Sequence, residues 1–522
     1  MSTVPPESPE NPAPKPAVEA FPENQEGTLR SRTKRALGWR MGSIYTRFVL
    51  QWIVTIVFTR LLLPEDFGLL AQATIVVTLA ATVSEVGMAP ALIQKRDLTI
   101  EHIRTAFAIS IISGLFLSSL LWLMAPLFEV LFASKGITPI LRVLSWTFLL
   151  TSLSTTGFAL LQRDLNFRSL FIIDTLSYIG YGIVGVVMAL RGNGVWALVA
   201  AAVTQSALKV LITIAISRHS LRPKLHLEAA RSLLRFGAGM SATRIIIQCS
   251  RTTDNFIVGR YLGAEALGYY SRAYVLMSLP IHEIAGAMNT VLFPAYAEIQ
   301  DQHERVRRVY FENLSFVALR TFPVLITMSV LSVELMRGVY GPLWKPAATP
   351  LSILCIGGCF LCIYTLGDAL ARAKGALAPR FWQHLIFAIV VLALSRIGAQ
   401  YGNAGVAVGV SIALFLQYLM MAHLANQLLE SSWRQFWSAQ IPGAIVAVLC
   451  GAVAYGSAQV MRALHWPDLV IAALSSLCVL AISLLLLFRL PAAWLPPAVS
   501  KMREGIRSKL AGLLSRRRAA QP

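Results

Sequence analysis

Four arginines stand where an arginine is costly. Arg47, Arg244, Arg251 and Arg320 each interrupt an apolar stretch of about twenty residues. A guanidinium at the centre of a membrane helix costs about 2.5–3.5 kcal/mol on insertion scales, so it faces a protein interior or a wet cavity and pairs with something. Arg244 and Arg251 are seven residues apart, about 20° around a helix, and form one basic stripe. Asp254, at i+3 from Arg251, offers a local partner. Because a planar guanidinium grips phosphate or carboxylate in bidentate fashion, the chemistry on offer is recognition of an anion. The acidic residues within apolar stretches are Glu85, Asp174, Asp254, Glu283 and Asp368. Each could carry a coupling proton; taken singly, each reads first as the neutraliser of a nearby arginine. Lys209 is expected to snorkel to a membrane face.

The elements that must position these charges are membrane helices. Apolar residues make up 56% and charged residues 14% of the 522, with mean hydropathy +0.62, too little polar surface for a soluble chain of this size. Fourteen spans are expected, near 37–62, 67–91, 104–125, 138–161, 169–190, 194–217, 233–258, 267–292, 309–333, 347–371, 378–399, 404–427, 438–461 and 467–489. The segments are continuously apolar rather than alternating, which selects helices over a barrel.

The net charge of +20 is a topology signal rather than a nucleic-acid footprint. Most Lys and Arg fall in the N-terminal arm, the even-numbered loops and the C-terminal tail, which places both termini in the cytoplasm. Residues 1–35 read as a disordered arm, rich in Pro and Glu, with no signal peptide. In the tail, 491–522, Val499, Met502, Ile506, Leu510 and Leu513 share one helical face among basic residues, as in a helix lying on the inner leaflet. Cys355, Cys359 and Cys362 cluster, but small residues at a helix contact are the preferred reading over a metal or redox site. No cofactor is implied, and no Walker sequence appears. His282 beside Glu283 reads as a cavity or packing residue before a catalytic one.

The chain also repeats itself. A shift of 200 residues lays Arg60, Leu62, Glu65 and Gly68 on Arg260, Leu262, Glu265 and Gly268, with Ala73 on Ala273 and Leu92 on Leu292 farther along. Two parallel six-helix bundles follow, residues 36–218 and 219–430, with two extra helices in 431–490. Such paired bundles belong to carriers that rock between inward and outward openings.

The run RTTDNFIVGRYLGAEALGYYSRAY at Arg251–Tyr274, VLFPAYAEIQ at Val291–Gln300 and FTRLLLPEDFGLLAQA at Phe58–Ala73 resemble the polysaccharide transporter family. The likeness is to exopolysaccharide exporters of the colanic-acid, Wzx type, in the superfamily of multidrug and toxin extrusion carriers and lipid II flippases. It extends over about residues 35–430. The resemblance implies a MATE-like fold and transfer of an undecaprenyl-pyrophosphate-linked oligosaccharide across a bacterial inner membrane. Its partners would be the bilayer, a polysaccharide polymerase and the export machinery. Within the motif, Gly259, Gly263 and Gly268 are expected in a tight outer turn, and Tyr261, Tyr269 and Tyr270 in the interfacial aromatic belt. Two other functions compete. A small-molecule antiporter of the same fold would favour cations and an acidic cavity, against the arginines. A membrane-embedded polymerase or ligase would need a sizeable outer loop, and the loops here are short.

Overall fold

A computed structural model describes residues 45–84, 98–217 and 241–489, together with residues 42, 92, 93, 222–227, 230, 231, 500 and 503. The N-terminal arm, most of the basic tail and Glu85 lie outside the described residues. All described regular structure is helical. The first six long helices are α1 (45–61), α2 (Pro64–Ser84), α3 (Ile100–Phe132), α4 (Ile137–Arg163), α5 (Phe167–Leu190) and α6 (Val195–Ser217). The next six are α7 (Ser241–Tyr261), α8 (Gly263–Glu298), α9 (His303–Val330), α10 (Ala348–Ala373), α11 (Leu377–Gly398) and α12 (Gly402–Leu429). Two more follow, α13 (Ile441–Ala463) and α14 (Asp468–Arg489).

Each long helix falls on one of the expected apolar segments, and the turns are written in the sequence. Asp66 accepts the Leu63 N–H at 3.0 Å where Pro64 opens α2. Thr99 and His102 close a capping box at the start of α3. Gly263, at φ +90°, makes the α7–α8 turn in a conformation that suits glycine. Among the described residues, ten stretches are long and apolar enough to cross a membrane, one of them holding both α11 and α12. Of the remaining helices, α7 carries Arg244, Arg251, Asp254 and Arg260 in only 21 residues.

The two sets of six helices pack alike. α3 lies on α4, α4 on α6 and α5 on α6; likewise α9 lies on α10, α10 on α12 and α11 on α12. α13 packs on α9, and α14 on α13, outside this pattern.

The sets meet where α2 crosses α8, and the contact is nearly symmetric. A Cβ on Gly68 would stand 1.6 Å from the Ala264 carbonyl oxygen, and one on Gly268 would stand 1.9 Å from that of Pro64. These glycines correspond under the 200-residue shift, as do Pro64 and Ala264. Gly268 therefore serves close backbone approach and not the turn expected of it. Gln72 donates to the Gly259 carbonyl at 3.0 Å, and its counterpart Arg272 stacks over Phe67 at 4.9 Å. Trp344, fully buried between Phe67, Tyr269 and Tyr340, donates its indole N–H to the Thr59 carbonyl at 2.8 Å. Arg60 Nη2 donates to the Gly338 carbonyl at 2.7 Å. The halves are thus closed on each other at the end bearing the α1–α2 and α7–α8 turns.

Candidate functional site

A cavity of about 470 Å³ opens among α7, α8, α10, α11 and α12, and every described residue that lines it belongs to the second set of six. Its position follows from one helix face and one broken helix. On α7, Ser250, Arg251 and Asp254 fall at i, i+1 and i+4 and line the cavity, while Ile257 and Val258 are buried in the core. On α8, Pro280 lacks the N–H that would continue the ladder, and the helix passes through a π-helical stretch, Ile281–Gly286. That stretch turns His282 and Gly286 to the cavity wall, with Asn289 one turn farther on. Tyr364, His384 and Gln417 come from α10, α11 and α12. A wall of Arg, Asp, His, Asn, Gln and Tyr inside an apolar bundle offers donors and acceptors to a polar ligand and a positive charge to an anionic one.

The carboxylate of Asp254, with the residue only 4% exposed, is fully engaged. It accepts from Tyr270 Oη at 2.9 Å and from the Asn255 backbone N–H at 2.8 Å. The expected Arg251–Asp254 pair is not made. Tyr270 of α8 and the Asn255 N–H take up the Asp254 carboxylate, while Arg251 stays exposed in the cavity without an ion pair among the described residues. Tyr270 therefore belongs to the core and not to an interfacial belt; Tyr261, half exposed, lies beneath Arg396 at 4.2 Å.

Behind the cavity runs a charge network that joins three helices. Asp368 on α10 holds Arg380 of α11 at 2.7 Å through Nε and Arg372 at 3.2 Å. Arg372 Nη2 in turn donates to Asn289 Oδ1 at 2.7 Å and lies over the Phe293 ring at 5.2 Å. Arg380 is 7% exposed, so removing its carboxylate would leave a buried cation. Beside it, Tyr364 Oη and His384 Nε2 are 3.1 Å apart, and His384 Nδ1 is buried without a partner. The network ties the part of α8 beyond its break to α10 and α11.

A family model described as "Polysaccharide biosynthesis protein" matches residues 57–349, more than half of the chain. The chain belongs to the polysaccharide biosynthesis protein family. The lipopolysaccharide biosynthesis protein WzxC of Escherichia coli (strain K12) is 26% identical over 420 residues, 78% of this chain and 84% of the relative. Among solved structures, the lipid II flippase MurJ in an inward closed conformation superposes with a TM-score of 0.69 at 16% identity, over 87% of this chain and 99% of that one. An inward-facing MATE family transporter of the MOP superfamily gives 0.58, also at 16% identity, over 74% and 96%. At such identities the superpositions establish the fold, and it is the MATE-like helical fold that the resemblance implied.

In this polysaccharide biosynthesis protein the four arginines do not share one compartment. Of the three whose side chains are described, Arg251 lines the cavity and Arg47 and Arg320 do not. The Arg244 backbone continues α7 toward the same end, but its side chain lies outside the described residues. Arg320 is exposed on α9 with Phe316 5.9 Å away, and is absent from the cavity wall. Arg47, on α1 in the first set, is exposed and close enough to Tyr178 and Lys209 to act on both electrostatically. Lys209 does not reach outward: its ammonium lies 3.9 Å from Asp174 and 4.3 Å above the Phe158 ring. Cys355, Cys359 and Cys362 are all buried in α10. Sequence reasoning missed Arg372 and Arg380, which stand near span ends where a basic residue needs no explanation, and His384, whose neighbours in sequence are apolar or uncharged.

Proposed function

We propose that this chain is a flippase that carries a polyprenyl-diphosphate-linked oligosaccharide from the inner to the outer leaflet of a bacterial inner membrane. It transports its substrate and does not transform it. All fourteen helices cross the bilayer, both termini are cytoplasmic, and the bundles of residues 36–218 and 219–430 rock against each other, closing and parting at the α2–α8 contact. In that orientation the closed junction is the outer gate. The observation that carries the reading is a polar, arginine-bearing cavity buried in the apolar helices of a polysaccharide biosynthesis protein. Sugar hydroxyls suit its Asn, Gln, His and Tyr side chains, and the diphosphate suits exposed arginine. The names of WzxC and of the lipid II flippase MurJ support the same substrate class. Arg251 and, from the same stripe, Arg244 would contact the substrate, with Arg47 meeting its diphosphate from the first bundle. Asp254, Asp174 and Asp368 hold the surrounding polar groups in place, and a polymerase with its export machinery would receive the product. The test is reconstitution into liposomes with a lipid-linked oligosaccharide, with and without a proton or sodium gradient. Protein-dependent loss of inner-leaflet substrate is expected, and its absence under every gradient would dismiss the proposal.

A further inference from the structure

On the outside of the first bundle, α1 and α5 leave an apolar groove of about 390 Å³. Its walls include Leu50 and Val54 of α1 and Tyr178, Gly182, Ile183 and Val187 of α5. From Tyr178 to Val187 the groove runs nine residues along α5, about 14 Å. Gly182 forms its floor, since a Cβ there would meet Val54 Cγ2 at 2.9 Å. Apart from the Tyr178 hydroxyl, the lining side chains are hydrocarbon.

One end of this groove is charged. Arg47 lies less than one helical turn before Leu50, is exposed, and has no acidic partner among the described residues. It is near Tyr178, the groove residue at that end, and near Lys209. Among the described residues, the carboxylate beside them is Asp174, paired with Lys209, so the cluster keeps a net positive charge. Arg47 is fourteen residues from Leu61 at the far end of α1, about 21 Å, while Asp174 and Lys209 lie about 10–12 Å from the inner ends of α5 and α6. The cations thus share one depth, in the half of the bilayer nearer the termini.

We infer that the α1–α5 groove holds the isoprene units nearest the diphosphate of the substrate's polyprenyl chain, with the diphosphate at Arg47 and Lys209. The inference rests on the flippase reading and adds the resting place of the tail. The wall offers hydrocarbon contact and, at the charged end, one hydroxyl, that of Tyr178, which suits an apolar chain joined directly to an anionic group. With Asp174 paired to Lys209, the surplus positive charge at the groove end is that of exposed Arg47, whose guanidinium grips a phosphate oxygen pair in bidentate fashion. The chain stays in contact with lipid while the sugars enter the bundle, so only the polar part needs a path through protein.

A second groove serves as an internal control. It lies between α10 and α12, holds about 350 Å³, is lined by Ile356, Phe360, Ile412 and Phe415 among others, and has no charged residue in its wall. The experiment is photolabelling of the full chain in phosphatidylethanolamine–phosphatidylglycerol nanodiscs with a polyprenyl diphosphate bearing a diazirine on its chain, with adducts mapped by mass spectrometry. Adducts are expected on residues 50–54 and 179–187 in preference to the α10–α12 groove. Ile183→Trp, at an exposed position of the groove wall, should abolish the preference for this groove by filling it. Arg47→Gln should weaken labelling by the diphosphate but not by the matching polyprenol. Equal labelling of both grooves, or equal occupation by a diazirine phosphatidylglycerol, overturns the inference as bulk lipid contact. If wild-type protein flips its substrate while Ile183→Trp flips as fast, the groove alone is refuted; if wild type flips nothing, the flippase reading fails first.

Discussion

Replacing Gly268 by alanine tests whether the α2–α8 contact is the gate between the bundles. The new Cβ would stand 1.9 Å from the Pro64 carbonyl oxygen, whereas carbon and carbonyl oxygen normally approach to about 3.3 Å. The helices must therefore part by about 1.4 Å at that point. No rotamer change relieves the clash, because the opposing atom is backbone. Gly68→Ala meets the Ala264 oxygen at 1.6 Å and demands slightly more. Overpacking of this kind costs about 1–3 kcal/mol. If the bundles remain folded, that cost falls on the closed junction and shifts the closed–open balance about 5–150-fold toward open. Spin-label distances between probes at Glu65 and Glu265, the exposed and equivalent residues opening α2 and α8, would read it, with Cys249 and Cys478 replaced by Ser. Both variants should move the distribution to longer distances and slow export. Gly456→Ala, where an added Cβ meets nothing within 4 Å, should do neither. An unchanged distribution and normal export in Gly268→Ala would show that the contact yields without cost, and the gate would have to be sought elsewhere.

Arg251→Ala should abolish polymer export while leaving membrane insertion intact, as judged by export titre beside membrane abundance. Arg244→Ala should behave alike, and normal export from both variants would remove the basic stripe of α7 from the substrate path. Asp368→Ala leaves Arg380 buried and unpaired, at a cost of about 3–5 kcal/mol; thermal unfolding in detergent should show it, and the double variant Asp368→Leu, Arg380→Met should recover most of the loss. Trp344→Phe deletes the bond to the Thr59 carbonyl and should cost about 1–3 kcal/mol, seen as easier reaction of a Cys placed at Leu63 with a membrane-impermeant thiol reagent.

Much of the fold was legible because lipid imposes one rule. A backbone in hydrocarbon must satisfy itself, and continuous apolar stretches then allow helices only. The repeat was legible for a different reason: Gly68 and Gly268 are held by backbone contact, where no other residue fits, so their spacing persists after the surrounding side chains have diverged. The charges were legible as anomalies but not as partners. Arg251 and Asp254 stand three apart in sequence and still diverge, because the choice between a neighbour on the same helix and Tyr270 on the next depends on how α7 is rotated against α8. Arg380 and Asp368 lie on different helices, and their pairing depends on the tight turn near Gly375, φ +71°. Periodicity reports which residues share a face, and not what that face meets.

The repeat also explains why the two bundles cannot do the same chemistry. Leu165 at φ +54° and Gly375 at φ +71° occupy equivalent turns 210 residues apart, and Gly194 at φ +51° and Gly402 at φ +70° occupy equivalent turns 208 apart. On that register Asp174 falls on His384, and Lys209 falls on Gln417. The first bundle therefore holds an ion pair, with Arg47 close by, at the positions where the second places His384 and Gln417 in the wall of its cavity. An exchange of function by symmetry would need like groups at these positions. What the halves share is the scaffold at their contact, Gly68 and Gly268 against Ala264 and Pro64. In the proposed cycle motion would then be common to both bundles, while recognition would divide between them: fixed charge for a diphosphate on one side, hydrogen-bonding groups with Arg251 for a sugar on the other. Charge reversal at Lys209 should on this reasoning impair binding of a diphosphate lipid that bears no sugar, whereas Gln417→Leu should spare that lipid and weaken only the glycosylated one. Equal effects of the two substitutions on both lipids would refute the division.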